Sequence, residues 1–177
     1  MGTLSNIKVV PHKVYWNSVD LGYTEGDITI SWGESTLVDV KSHQEGATVL
    51  DQIATGRAVS ELTVTLKEFS TATMTLIKSG MVSETTPAGG TEVIGVGDGY
   101  KFQGLKQFAK KLYFQPVGAT DHAQDWFAWM AVPVLDNVVL SGENPVNFAV
   151  KFKIFKDSTA PAGLEYFGFG DHTQTFA

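Results

Sequence analysis

The residues of this chain that could carry chemistry are few and scattered. There are four histidines, His12, His43, His122 and His172. None stands in a His-Glu-x-x-His run or a comparable ligand spacing. Asp121, His122 and Asp125 lie close together and carry donor atoms that a cation accepts. A metal site needs convergent ligands and a supporting shell around them, so this stretch reads as a polar turn. Asp171-His172 near the end of the chain reads the same way. Gly95-Val96-Gly97-Asp98-Gly99 resembles a nucleotide loop only superficially, because the third glycine is misplaced and no helical pattern follows. There is no Gly-x-Ser-x-Gly elbow and no phosphate-loop motif. Cysteine is absent, which excludes thiolate nucleophiles, thiolate zinc sites and disulfides. Nothing marks two carboxylates as a catalytic pair. The reading is of no catalytic residue, no metal and no cofactor, and an enzyme is disfavoured.

Composition narrows the remaining classes. The 177 residues are 43% hydrophobic, 11% aromatic and 18% charged, with a net charge of −6. That is too apolar for a disordered chain and unusually poor in charge for a folded one. Of the 13 basic residues only Arg57 is arginine, and the charges are spread evenly, so tight nucleic-acid binding is disfavoured. Met1 to Asn6 lacks the basic and apolar regions of a signal peptide. The longest apolar run, Trp126 to Leu135, is half of the about 20 residues that a spanning helix needs. The expectation is a soluble protein made in a reducing compartment, folded as one domain over 1–177, with a flexible tail at 170–177.

Alternation of period two dominates the chain and predicts strands. Over 27–33, Ile28, Ile30 and Trp32 share a face. Over 58–68, Leu62, Val64 and Leu66 oppose Glu61, Thr63, Thr65 and Lys67. Over 147–155, Phe148, Val150, Phe152 and Ile154 oppose Asn147, Ala149, Lys151 and Lys153. Shorter strand candidates are 7–10, 13–16, 36–43, 108–116 and 164–169. The stretch 126–140 is apolar on both faces, as for a strand covered on both sides. One helix is predicted from Ser70 to Gly80, with one long bent strand over 58–78 as the alternative. Two long loops are predicted, His43 to Gly56 and 83–101. The first carries Val49, Leu50 and Ile53, aliphatic residues that want a partner surface.

Several runs resemble the tail tube proteins of long-tailed bacteriophages. Val19 to Ile30 resembles the opening strand pair of that family. Val38 to Arg57 resembles its strand–loop–strand segment through the skeleton Gln-x-Gly-x-Thr-x-x-Asp-x-x-x-x-Gly, which begins at Gln44. Ala58 to Glu68, Asn147 to Asp157 and Leu164 to Gly168 resemble its later strands. The resemblance covers roughly 19–80 and 134–170.

The resemblance implies a mainly β fold: an antiparallel β-sandwich or barrel with one flanking α-helix and long loops. It implies homo-hexameric rings, each closed by an inter-subunit β-barrel and stacked head-to-tail into a hollow virion tail tube that is assembled in the host cytoplasm. Tape-measure, tail-tip and tail-terminator proteins are the implied partners, and DNA crosses the lumen in transient, non-specific passage during ejection. The loop residues Gln44, Gly46, Thr48, Val49, Leu50, Asp51, Ile53, Gly56 and Arg57 are then the expected ring-stacking contact. The polar face Glu61, Thr63, Thr65 and Lys67 is the expected lumen lining. The alternatives are the tube of a secretion system or phage-derived bacteriocin, and a monomeric β-sandwich that binds sugar or protein through 83–101.

Overall fold

The computed structural model describes residues 10–41, 49–67, 82–85, 93–96, 103–140, 142 and 146–174. The fold is mainly β and antiparallel. Its strands are β1 (His12–Trp16), β2 (Val19–Asp20), β3 (Thr24–Ser31), β4 (Ser35–Lys41), β5 (Val49–Arg57), β6 (Ser60–Leu66), β7 (Val82–Thr85), β8 (Val93–Val96), β9 (Lys110–Pro116), β10 (Trp126–Val139), β11 (Asn147–Ile154) and β12 (Gly168–Phe169). A 3-10 turn, Leu105–Phe108, precedes β9. The helix expected over 70–80 falls outside the described residues.

The main sheet runs β2-β1-β9-β10-β11-β6-β3, with β12 added against β10. Its two end strands, β2 and β3, are joined by only three residues, Leu21 to Tyr23. So short a link requires the sheet to curl until its edges meet at that corner. No ladder joins those edges, and the sheet is not a closed barrel. The curl wraps the core. Leu62, Val64 and Leu66 of β6 face Phe148, Val150 and Phe152 of β11, and all are at most 1% exposed. Val14, Trp16, Leu112 and Phe114 close the core from the β1–β9 side. The alternating apolar residues of 58–68 and 147–155 are thus the ones buried, as expected of half-buried strands.

Local chemistry explains the corners. Asn17 and Ser18 both have positive φ, at 52° and 66°, the geometry of the tight turn whose twist suits a two-residue hairpin. In β10 a register shift between Ala128 and Ala131 interrupts the pairing with β9, and the Ala131 carbonyl accepts a 3.0 Å hydrogen bond from the buried Trp16 indole. Pro133 stands past Ala131, the last β10 residue that β9 pairs, so its missing N–H costs no bond to β9.

Both long loops of the sequence reading contain strands. Residues 49–57 form β5, paired with β4 in a two-stranded sheet, and β7 pairs with β8 within the stretch around 83–101. Register shifts at Thr36/Leu37 and Val40/Lys41 break the alternation of the first pair, which hides it from pattern reading.

Candidate functional site

The β4–β5 pair is an arm of the main sheet. Ser31 stands opposite Glu61 in the β3–β6 ladder, and Ser35 stands opposite Arg57 in the β4–β5 ladder. The offset is the same, so a single hairpin runs from body to arm. Between the two lies a kink at Gly33, whose φ is +67°. A Cβ there would sit 2.4 Å from the Ala58 carbonyl oxygen, so only glycine fits. The kink is held by Ala58 N–H donating to the Glu34 carbonyl at 2.9 Å and by the buried Ser60 hydroxyl donating to the Trp32 carbonyl at 2.7 Å.

Every residue of β5 is exposed. Val38 and Ile53 form a cross-strand pair on one face, 51% and 55% exposed; Leu37, opposite Ala54 on the other face, is 50% exposed. Asp39 links β4 to β5 by accepting from the Gln52 amide at 2.9 Å, and pairs with Lys41 of its own strand at 3.8 Å. A two-stranded hairpin alone is marginal in water, and this one shows aliphatic residues on both faces. Of the residues expected to contact the next ring, Val49, Leu50, Asp51, Ile53, Gly56 and Arg57 belong to this exposed strand rather than to a loop. Gln44, Gly46 and Thr48 lie outside the described residues. At the arm's base, Arg57 lies over the Tyr166 ring at 5.5 Å.

The second surface is the outer face of β6, β11 and β3. Glu61, Thr63 and Thr65 are half-buried along one side of β6, and Lys67, just past its end, is half-buried as well. The lysines here are matched with acids: Lys67 with Glu25 at 3.0 Å, Lys151 with Asp136 at 3.9 Å and Lys153 with Glu61 at 3.9 Å. Asn147 adds a hydrogen bond to Glu25. Exposed pairs of this kind contribute little stability, but they leave the face near neutrality.

The third feature joins the two polar stretches that sequence spacing left apart. His122 Nδ1 lies 2.6 Å from Asp125 Oδ2, and His172 Nε2 lies 3.2 Å from the same oxygen. Asp125 is fully buried and His172 is 6% exposed. The convergence follows from β12, which pairs with β10 at Trp126 and Phe127 and so brings 170–174 over that strand. Gly168 lies flat against Phe127, where a Cβ would be 2.1 Å from the ring. Gly170 N–H then donates to the Asp125 carbonyl at 2.9 Å, and Lys111 Nζ donates to the His172 carbonyl at 2.8 Å. A flexible tail is expected over 170–177; Gly170 and His172 are held here, while Thr173 and Gln174 are exposed. Burial, with Lys111 and His122 nearby, pushes His172 below the ordinary imidazole value against the pull of Asp125. Burial likewise lowers Lys111, opposed by Asp171 and Asp125. Asp121 is elsewhere engaged, accepting from Ala123 N–H at 3.1 Å.

Among the described residues no helix is long and apolar enough to cross a membrane. No protein-family model matches the chain, and no curated protein matches its sequence.

Proposed function

We propose that this chain is a structural tube protein of the kind found in long-tailed bacteriophages, forming hexameric rings that stack into a hollow conduit for DNA. In that reading the curled main sheet is one wall of a sandwich, and neighbouring copies complete a barrel around the lumen. The observation that carries it is the β4–β5 arm: a continuation of the body hairpin in the same register, exposed along all of β5, with aliphatic residues on both faces. Such an arm gains stability only when another surface covers it. Head-to-tail contacts of this heterologous type repeat without limit when they do not close on themselves.

The face carrying Glu61, Thr63, Thr65 and Lys67 suits a lumen. Proteins hold DNA by neutralising phosphates with free cations. Here Lys67, Lys151 and Lys153 are each already matched with a carboxylate. A conduit needs only to avoid gripping its cargo, and a face of neutralised lysines does that without strong acidity.

Negative-stain electron microscopy of the purified, concentrated protein tests the reading. Regular hollow tubes are expected, and removal of 36–56 is expected to leave folded subunits that do not polymerise. A protein that stays monomeric at every concentration would reject the proposal, as would tubes of normal length from the shortened chain.

A further inference from the structure

We infer that His122, Asp125 and His172 form a site for one divalent transition-metal ion of the zinc type, which clasps the C-terminal turn onto the connection between β9 and β10. Three donors converge from two segments far apart in sequence, and all lie within 4.8 Å of one another. A tetrahedral ion with bonds of about 2.0–2.1 Å holds its donors about 3.4 Å apart. The 3.2 Å separation of His172 Nε2 from Asp125 Oδ2 lies close to that, while the 2.6 Å contact of His122 is a hydrogen bond that must open by about 0.8 Å as the ion takes the proton's place.

A second, independent observation points to a ligand. Asp125 is fully buried, and its Oδ1 has no hydrogen-bond partner; neither ring nitrogen of His172 makes a hydrogen bond. His122 and His172 both face Asp125 Oδ2, so what stays unmet is Oδ1, and a buried polar atom without a partner is costly. Lys111 does not meet that need directly, since its ammonium donates to the His172 carbonyl and lies over the Trp129 ring at 4.6 Å. Two imidazoles and one carboxylate suit zinc, nickel or cobalt rather than calcium or magnesium, which prefer oxygen shells.

The surroundings hold the rings and leave a way in. The Tyr113 ring lies 4.4 Å from His172 and 6.1 Å from His122, centroid to centroid, and Phe127 lies 5.8 Å from His172. The His122 side chain is 34% exposed, so the ion enters and a water completes its shell from that side. Two features limit affinity. The second nitrogen of His172 has no supporting partner, and such partners are worth about 10–100-fold. Lys111 also places a positive charge nearby. Micromolar rather than nanomolar binding is the consequence.

The test uses the untagged, chelator-stripped full chain titrated with zinc chloride in a calorimeter, and with cobalt chloride in a spectrophotometer. One zinc ion per chain, a rise in melting temperature with zinc and the visible bands of tetrahedral cobalt are expected. His122→Gln and His172→Gln should each weaken zinc binding at least about tenfold, read in the calorimeter on variants whose far-ultraviolet circular dichroism shows them folded. His12→Gln should bind as the natural chain does. The absence of stoichiometric binding at about 100 μM zinc, a hundred times the expected dissociation constant, would overturn the site. So would His122→Gln and His172→Gln variants that bind as tightly as the natural chain.

Discussion

On the tube reading proposed above, replacing Val38 and Ile53 together by threonine separates the fold of the subunit from its assembly. The two residues stand opposite each other on one face of the arm and are 51% and 55% exposed. Threonine keeps the β-branched shape that strands favour, so the hairpin should persist and the subunit's melting temperature should hold. Full burial of a valine or isoleucine side chain contributes about 1.5–3 kcal/mol. About half of each is already covered, so docking the arm gains about 1 kcal/mol from each residue, or about 2 kcal/mol for the pair. Unpaired hydroxyls placed in the contact add to the loss. At about 1.4 kcal/mol per factor of ten, the contact weakens about 30-fold. The assay is the concentration of unassembled protein left in the supernatant after tubes are sedimented. A clear rise in that concentration at an unchanged melting temperature is expected. An unchanged concentration would show that this face of the arm stays wet in the polymer, and the reasoning from exposure to contact would fail.

Gly33→Ala places a methyl group 2.4 Å from a backbone carbonyl at a φ of +67°; chemical denaturation should show a loss of about 2 kcal/mol or more. Phe152→Ala, at 0% exposure in the centre of the sheet, should cost about 3–5 kcal/mol in the same measurement. The Asp157 carboxylate accepts from the Thr159 hydroxyl at 2.7 Å and its N–H at 2.9 Å, and these bonds hold its pKa below the ordinary carboxylate value. Because the folded value is the lower one, the stabilisation is present above the unfolded value and fades as pH falls through the folded one. In a carboxyl NMR titration Thr159→Val should move the Asp157 midpoint upward; an unmoved midpoint would show that the side-chain bond is not the main cause.

What could be read in the sequence followed from how each strand is buried. Strands β6 and β11 have one dry face and one wetter face, so Leu62, Val64 and Leu66 and then Phe148, Val150 and Phe152 announce themselves by alternation. The two-sided apolar strand was also legible, but its cover was not. Phe127 is sealed by the chain's own Gly168 and His172, while Val138 and Val139 at the far end stay exposed. Strand β5 was hidden because its bulges shift Val49 and Leu50 off the period of Ile53, and because no core beneath it imposes a pattern. The His122–Asp125–His172 cluster showed only half of itself locally: His122 and Asp125 stand together in the chain, but nothing there ties them to His172. About fifty residues separate its halves, and they meet only because two residues of β12 pair with the start of β10.

The unbroken register through Gly33 has a mechanical consequence. Tension applied at the tip of the arm travels along β4 and β5, through the Gly33 kink held by the Ala58–Glu34 and Ser60–Trp32 hydrogen bonds, into β3 and β6. Within the body β6 lies between β3 and β11, so the load enters a strand anchored on both sides. The ladder then resists in shear, with many hydrogen bonds strained together rather than peeled one after another. A polymer linked through such arms would carry axial strain through its sheets and not through its connecting loops.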